Sequence, residues 1–556
     1  MNYFELVNEQ KQNRLDLDAR MQRDADLLYL TPYILRDSSN KTVEGIINVT
    51  VNRPAVFGAN VVASLSSATQ QCIVKSEDME VDTHEIEMFL NYAFASADRR
   101  LRKQGAMSLS PFADVQLCFR GGTARRVLLR MENGLPVVDI TPWDRRFVYY
   151  QYDEKGLVWG AYHTERTKSL IEAEYGFVPQ SEKGIVLDVW TRDVNEVWID
   201  GQKKKEWEHH KGFCPVVIST VSLGYGPALL DPGWQKYEGE SIFFMIRGII
   251  PELNRLASIL QTLNMNQIKA ALQYANPEGS PSDEPPDRPE IGDVISVGKG
   301  KLDTIQMGEA RQSAQMLYGI MEKAFQEGSY TDIDIGNVQQ PFSAVALVAI
   351  GENKDMVYLP RLAAKEELNI DTSEMLIKQA LQMGGRFKLG VPGHERVFLS
   401  SVLKGEYTID YKYFVKSPKT DVARQAVADA AQRWYPRKFI YSDVLQVEDP
   451  DGMMREWSRE QAAILSPGVM RHRIIMDLLE QAEKNNDEEA ALEAKIMAME
   501  LGITIDQMKM GIMPGAPKPG LEKPPIVPLL GDGGQVGGLE PNKVASQLQK
   551  QPQEAS

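Results

Sequence analysis

Three cysteines in 556 residues, Cys72, Cys118 and Cys214, form an odd and widely separated set. They exclude a disulfide framework and point to buried small hydrophobes. Long apolar runs are missing too: none approaches the eighteen or so uninterrupted residues that a membrane span needs. Residues 1–23 have no signal-peptide h-region, which points to synthesis in a cytoplasm. Catalytic signatures are equally scarce, with no Gly-x-Ser-x-Gly elbow and no His-Glu-x-x-His. Gly292 and Gly298-Lys299 resemble a phosphate loop, but five residues separate the glycines where four are needed, and Gly300 stands where Ser or Thr should bind magnesium. His209, His210 and Cys214 have no paired ligands at a recognisable spacing, and Asp332-x-Asp334 lacks the closing bidentate Glu of a calcium hand. The expectation is a protein that is not an enzyme and uses no metal or cofactor.

Positive charge is outweighed as well. A net charge of −15 argues against gripping nucleic acid through a broad basic surface. Basic clusters at residues 99–103, at Arg120 with Arg125-Arg126, at Arg145-Arg146 and at Lys203-Lys204-Lys205 lack interleaved aromatics, so they remain docking candidates from charge alone.

What is present is a chain long enough for about three to four domains, with the 43% hydrophobic content of an ordinary soluble protein. Residues 9–30 and 84–103 are charged helical stretches, separated by a polar turn at Asp37-Ser38-Ser39-Asn40 and an apolar segment at 49–65. Short strand-like runs then occupy 115–119, 127–130, 136–140, 146–150, 158–162, 186–191, 197–199 and 215–221, punctuated by Gly121-Gly122, Asn133-Gly134 and Asp200-Gly201. They predict an antiparallel-rich α+β unit that strands at 397–402 and 407–411 could rejoin. Residues 421–501 follow as a helical block, and 511–556, rich in proline, glycine and glutamine, as a disordered tail.

The stretch 240–382 has a distinctive order. Ile242, Ile246, Ile249, Leu253, Leu256, Leu260 and Leu263 recur at alternating gaps of four and three, which places them on one helical stripe. Pro251 predicts a break near Ile250, leaving a strut over 251–275 about 37 Å long. The prolines of 276–289 turn the chain. A short strand at 291–297 and a returning helix at 309–326 follow. Residues 328–342 read as an ordered loop, and Ser343 as the N-cap of a long buried helix running towards Leu381 with a kink at Pro360.

This order of parts resembles that of the portal, or head-to-tail connector, proteins of tailed bacteriophages, particularly those of short-tailed phages. The matching stretches are Gly212-Phe213-Cys214-Pro215-Val216-Val217, Gly239-Glu240-Ser241 opening the helix, Asn254 with Leu256 and Ser258 within it, Asn276-Pro277-Glu278-Gly279 closing it, and Gly292-Asp293-Val294-Ile295 in the insert. The resemblance implies an α+β portal-type fold in a closed ring: wing at 1–250 and 343–416, stem helices at 251–275 and 309–327, clip at 276–308, tunnel loop at 328–342, helical crown at 417–510 and tail at 511–556. It further implies a virion protein, a homo-dodecamer at one capsid vertex that nucleates assembly with major capsid and scaffolding proteins. Such a ring passes double-stranded DNA during packaging and ejection, and docks the terminase large subunit and then tail adaptor proteins, with no membrane partner.

By the same resemblance Tyr330, Asp332, Asp334, Asn337, Gln339 and Gln340 would line the tunnel, and Leu253, Leu256, Leu260 and Leu263 would pack the stem. From charge alone, Arg288, Lys299 and Lys301 would dock partners at the clip. Two other readings remain open. A different virion structural or internal ejection protein predicts low-order oligomers without a channel, and a nucleotide- or metal-dependent enzyme would use the turn at 292–301.

Overall fold

The computed structural model describes residues 2–78, 80–132, 134–222, 238–268, 272–275, 301–304, 308–329, 344–414, 425, 427–485 and 488–500. It divides into two compact units, Met1–Met454 and Arg455–Ser556.

The first unit opens with helices α1 (Tyr3–Asn13), α2 (Leu15–Leu28) and α3 (Arg53–Ser66), then β1 (Thr69–Lys75), α4 (Thr83–Lys103) and α5 (Leu109–Phe119). Next come β2 (Gly122–Glu132), β3 (Leu135–Trp143), β4 (Val148–Asp153), β5 (Gly156–Thr167), α6 (Lys168–Tyr175), β6 (Lys183–Thr191), β7 (Val194–Ile199), β8 (Gln202–Glu208) and β9 (Val216–Thr220). Then follow α7 (Ile249–Ile268), β10 (Leu272–Ala275), β11 (Lys301–Thr304), α8 (Gly308–Glu327), α9 (Ala344–Met383), β12 (Arg386–Val391), β13 (His394–Leu399) and β14 (Thr408–Phe414).

Strands β4 to β8 form a five-stranded meander in chain order, and β3-β2-β9 a three-stranded sheet; β1·β14, β10·β11 and β12·β13 are two-stranded pairs. Every pairing is antiparallel. The mixed helix and sheet content is that of an α+β protein, as the alternation of patterns predicts.

The largest core forms where α4 presents Ile86, Phe89, Leu90, Ala93, Ala97 and Leu101, a single stripe of three- and four-residue steps with Phe89 and Leu90 side by side, to Leu368, Leu376, Ile377 and Ala380 of α9 and to Cys72, Val74, Ile409 and Tyr411 of the β1·β14 pair. Thr69 faces Phe414 and Lys75 faces Thr408. This register pairs the strand predicted at 407–411 with β1 and not with the sheets of 122–220 that it was expected to rejoin, and the run at 397–402 ends β13, which pairs with β12, and continues as a 3-10 turn at Ser400–Leu403.

Several expectations change. Residues 115–119 are the last turns of α5 and not a strand. Leu109, Ala113 and Leu117 lie four apart and bury one face, while Cys118 and Phe119 bury another, so a short mostly apolar run belongs to a helix touching three cores. The charged stretch 9–30 divides at Arg14, which caps α1 and precedes α2. Lys203, Lys204 and Lys205 lie in the exposed edge strand β8. The strut is shorter than expected: α7 ends at Ile268, and Leu272–Ala275 pairs with Lys301–Thr304. The long third helix is present with Pro360 inside it. The strand at 291–297, the phosphate-like turn, the proline-rich segment and the tail fall outside the described residues.

The second unit continues a helix begun at Pro450 (Pro450–Leu465) with helices Pro467–Asn485 and Glu488–Glu500. Ile475, Ala494 and Ala498 make its small core. Among the described residues no helix is long and apolar enough to cross a membrane.

Candidate assembly site at the base of the helical hairpin

Helices α7 and α8, each of 20 residues and so about 30 Å long, pack on one another and are joined through the β10·β11 pair. Three sets of contacts fix the base of this hairpin.

The first is ionic. Residues 238–247 lead into α7 through turns with N–H donors three residues after their acceptors, as from Ile246 to the Phe243 carbonyl (3.0 Å) and from Ile249 to that of Ile246 (3.0 Å). Arg247 clamps Asp24 of α2 with two bonds, Nε to Oδ1 at 2.6 Å and Nη2 to Oδ2 at 2.9 Å, and donates to Glu240 Oε2 at 2.9 Å. Arg20 donates to Glu240 Oε1 at 2.9 Å and to the carbonyls of Glu238 and Gly239. Beside them the buried Glu238 accepts from Arg145 and from the Tyr150 hydroxyl. Burial pushes the Glu238 carboxyl up, but Arg145 and Arg14 outweigh it and hold it below the usual carboxylate range. These partners satisfy charges that burial alone would make costly.

The segment also crosses the start of β2 at a pair of glycines. Gly121 has φ +69° and Gly239 φ +58°, and a Cβ on Gly121 would lie 2.6 Å from the Glu240 nitrogen. Glycine at 239, ahead of Glu240-Ser241, is therefore a packing requirement.

The second set is a zipper along α7. Asn254, Ser258 and Thr262, four residues apart, accept from the backbone N–H groups of Val51 (2.8 Å), Val49 (2.8 Å) and Ile47 (3.0 Å). Four helical residues rise about 6.0 Å and two extended residues about 6.6 Å, so an antiparallel arm keeps in step over these bonds. On its other side Thr50 and Asn48 accept from Tyr33 N (2.8 Å) and Leu35 N (2.9 Å). Asp37 closes this arm by accepting from Ser39 and Lys41, with Asn40 at φ +61°, so the predicted polar turn is present.

The third set is apolar. Ile242, Phe243, Ile246, Ile250 and Leu253 are buried with Phe57, Val61 and Leu65 of α3, Phe119 of α5, Phe325 of α8 and Tyr358 of α9. The four predicted stem leucines therefore divide. Leu253 and Leu256 are buried within the single chain at 1% and 5% exposure, whereas Leu260 and Leu263, further out, are half-buried. On α8 Met316, Leu317 and Ile320 are exposed.

Of the clip candidates, Lys301 opens β11, while Arg288 and Lys299 lie outside the described residues, as do all six tunnel candidates, Tyr330, Asp332, Asp334, Asn337, Gln339 and Gln340. The basic clusters prove to be largely internal ties. Arg125 is buried and donates to the Leu368 carbonyl (2.6 Å) and Asn369 (2.5 Å), Arg145 holds Glu238, and Arg100, Arg126 and Arg130 converge on Asp139. Burial raises the Asp139 carboxyl, but Arg126, Arg100 and Arg130 together bring it below its ordinary value. Lys203 pairs with Glu206 at 2.9 Å.

His209 packs against Trp190 and Trp207, and the buried Cys214 thiol donates to the Trp190 carbonyl at 3.2 Å. The two side chains serve packing, and among the described residues they form no ligand set with His210.

Sequence reasoning missed the buried polar spine of α9. There Lys365 pairs with Asp114 at 2.7 Å, Ser373 bonds the Tyr411 hydroxyl at 2.7 Å, and Gln379 both accepts from Leu129 N (2.8 Å) and donates to the Val127 carbonyl (3.0 Å). The one available signal was polar residues recurring within an otherwise apolar helix.

The class so defined is an α+β protein carrying a helical hairpin anchored by buried ion pairs. No protein-family model and no curated protein matches the chain. Among solved structures it is similar to the neck of a native GTA particle computed with C12 symmetry, at a TM-score of 0.33 and 11% identity, over 70% of this chain and 88% of that one. It is similar also to the neck of an empty GTA particle computed with C6 symmetry, at a TM-score of 0.33 and 12% identity, over 69% and 88%.

Proposed function

We propose that the chain is a portal-type connector: a protein that closes into a dodecameric ring at one vertex of a virion and passes double-stranded DNA without catalysing a reaction of its own. The observation that carries this reading is the α7–α8 hairpin. Its base is locked into the chain by Arg20, Asp24, Glu240 and Arg247, while Leu260 and Leu263 stay half-buried on the outer half of α7 and Met316, Leu317 and Ile320 are exposed along the middle of α8. A strut with apolar residues left exposed along its length needs neighbours, and identical struts in a closed ring supply them through heterologous contacts.

In this reading the segment between β10 and β11 is the docking tip for terminase and then for tail adaptor proteins, with Arg288, Lys299 and Lys301 as its cations. The segment between α8 and α9, with Tyr330, Asp332, Asp334, Asn337, Gln339 and Gln340, lines the channel. The net charge of −15, repeated around a ring, repels the phosphate backbone and limits sticking while DNA slides. Native mass spectrometry and negative-stain imaging of the purified full chain test the proposal. A ring with a central hole is expected, and a stable monomer under every condition would overturn it. Lysine at positions 332 and 334 should leave ring assembly intact and impair DNA filling; unchanged packaging would sink the charge argument.

A further inference from the structure

Far from the hairpin, the first turn of α4 meets the residue that precedes the helix Pro450–Leu465. His84, Glu87 and Asp449 each offer a ligand atom there, all within 4.8 Å of one another. His84 and Glu87, three apart on α4, share a helix face, with His84 Nδ1 3.8 Å from Glu87 Oε2. That nitrogen is buried and has no hydrogen-bond partner, an arrangement proteins rarely leave unexplained.

Both carboxylates are already oriented by backbone amides. Glu87 Oε1 accepts from Val74 N at 2.8 Å and Asp449 Oδ1 from Gly452 N at 2.7 Å. One oxygen of each is thereby fixed by a supporting bond, as in built metal sites, and Glu87 Oε2 remains for the gap.

We propose that His84, Glu87 and Asp449 bind a divalent transition-metal ion of the zinc class, which ties the start of α4 to the residue ahead of the helix Pro450–Leu465. One imidazole nitrogen and two carboxylate oxygens suit Zn²⁺ better than Mg²⁺ or Ca²⁺, which prefer oxygen alone. Three protein ligands leave a fourth position for water. Donors on a tetrahedral ion with bonds of about 2.0–2.2 Å lie about 3.3–3.5 Å apart, so binding requires a closing movement of up to about 1.5 Å, within reach of side-chain rotation.

The test uses the full-length chain, stripped with a chelator and titrated with Zn²⁺ by calorimetry and with Co²⁺ by visible absorption. About one ion per chain is expected, with the intense d–d bands of a four- or five-coordinate Co²⁺ site. His84→Ala and, separately, Asp449→Asn should each weaken binding at least about 10-fold. The asparagine keeps the Oδ1 acceptor for the Gly452 N–H, so that loss would not reflect an uncapped helix. His209→Ala/His210→Ala should change nothing. Absence of stoichiometric binding, binding that survives both single variants, binding lost with the His209/His210 pair, or a preference for Ca²⁺ over Zn²⁺ would each overturn the assignment.

Discussion

Thr262→Val tests the zipper with the least disturbance. Valine keeps the shape and β-branching of threonine, so helix propensity changes little, and what disappears is the acceptor for Ile47 N at 3.0 Å together with the hydroxyl's own 2.7 Å bond to the Ser258 carbonyl one turn back, whose oxygen keeps its place in the helix. A buried donor left unpaired costs about 1–3 kcal/mol; Ile47 is itself 39% exposed, so water can partly replace the threonine, and we expect about 1 kcal/mol. That corresponds to about fivefold faster amide exchange in the arm. Ser258→Ala removes the 2.8 Å bond from Val49 N but gains about 0.5 kcal/mol in helix propensity, for a net loss of about 0.5–1 kcal/mol. With Asn254→Ala added, the triple variant should lose about 2–3 kcal/mol, short of additivity because the arm peels as a unit. Hydrogen-exchange mass spectrometry of peptides spanning 44–52, read against peptides in α4, distinguishes local peeling from global unfolding. Unchanged exchange in the arm of the triple variant, or equal acceleration in α4, would refute the zipper.

Lys365→Met should cost about 3–5 kcal/mol by leaving the buried Asp114 without its cation, and Asp114→Leu added to it should recover most of that loss in a denaturant titration. Gly239→Ala should cost at least about 2 kcal/mol in the same assay, because φ is +58° and the added Cβ meets the Gly121 carbonyl. Asp139 and Glu238 have folded-state pKa values below their unfolded ones, so their stabilisation is present above the ordinary carboxylate range near pH 4 and is lost as pH falls through the depressed values. Asp139→Asn should therefore lower the melting temperature at pH 7 and reduce its fall on acidification. Cys72, Cys118 and Cys214 are buried with thiols pushed up to about 12, mainly by burial, so a thiol reagent should label none in the native chain and all three after denaturation.

How legible these features were depended on range. The face of α4 and the turn at Asp37 to Asn40 were readable because their signals lie within a few residues. The run at 115–119 misled because five consecutive residues cannot separate a strand from the end of a helix with two buried faces. Strand β1 was not anticipated, since its partner β14 lies hundreds of residues away in the chain and pairing is what defines a strand. In the candidate site, the stripe of seven apolar residues was visible, but its first two members precede α7 and sit in turns. The ion pairs that fix the base, such as Arg20 with Glu240 and Arg247 with Asp24, leave no local pattern at all.

The division of that stripe changes what assembly demands of the chain. Leu253 and Leu256 are already buried, so replacing either with a charged residue should unfold the monomer and say nothing about neighbours. Leu263 is half-buried on α7 and Ile320 is 52% exposed on α8, so the folded chain has less to lose there. Leu263→Asp with Ile320→Asp should then yield a folded chain, with the core around α4 and α9 intact by circular dichroism and calorimetry, that fails to form the ring. An oligomer unaffected by that pair would mean that this face of the hairpin meets solvent in the assembly and that subunits meet through another surface. Rigidity at the base makes this test informative. A strut held by Arg247 on Asp24 and by three spaced acceptors on one arm has a fixed direction, so its exposed side chains are presented to a neighbour in one orientation.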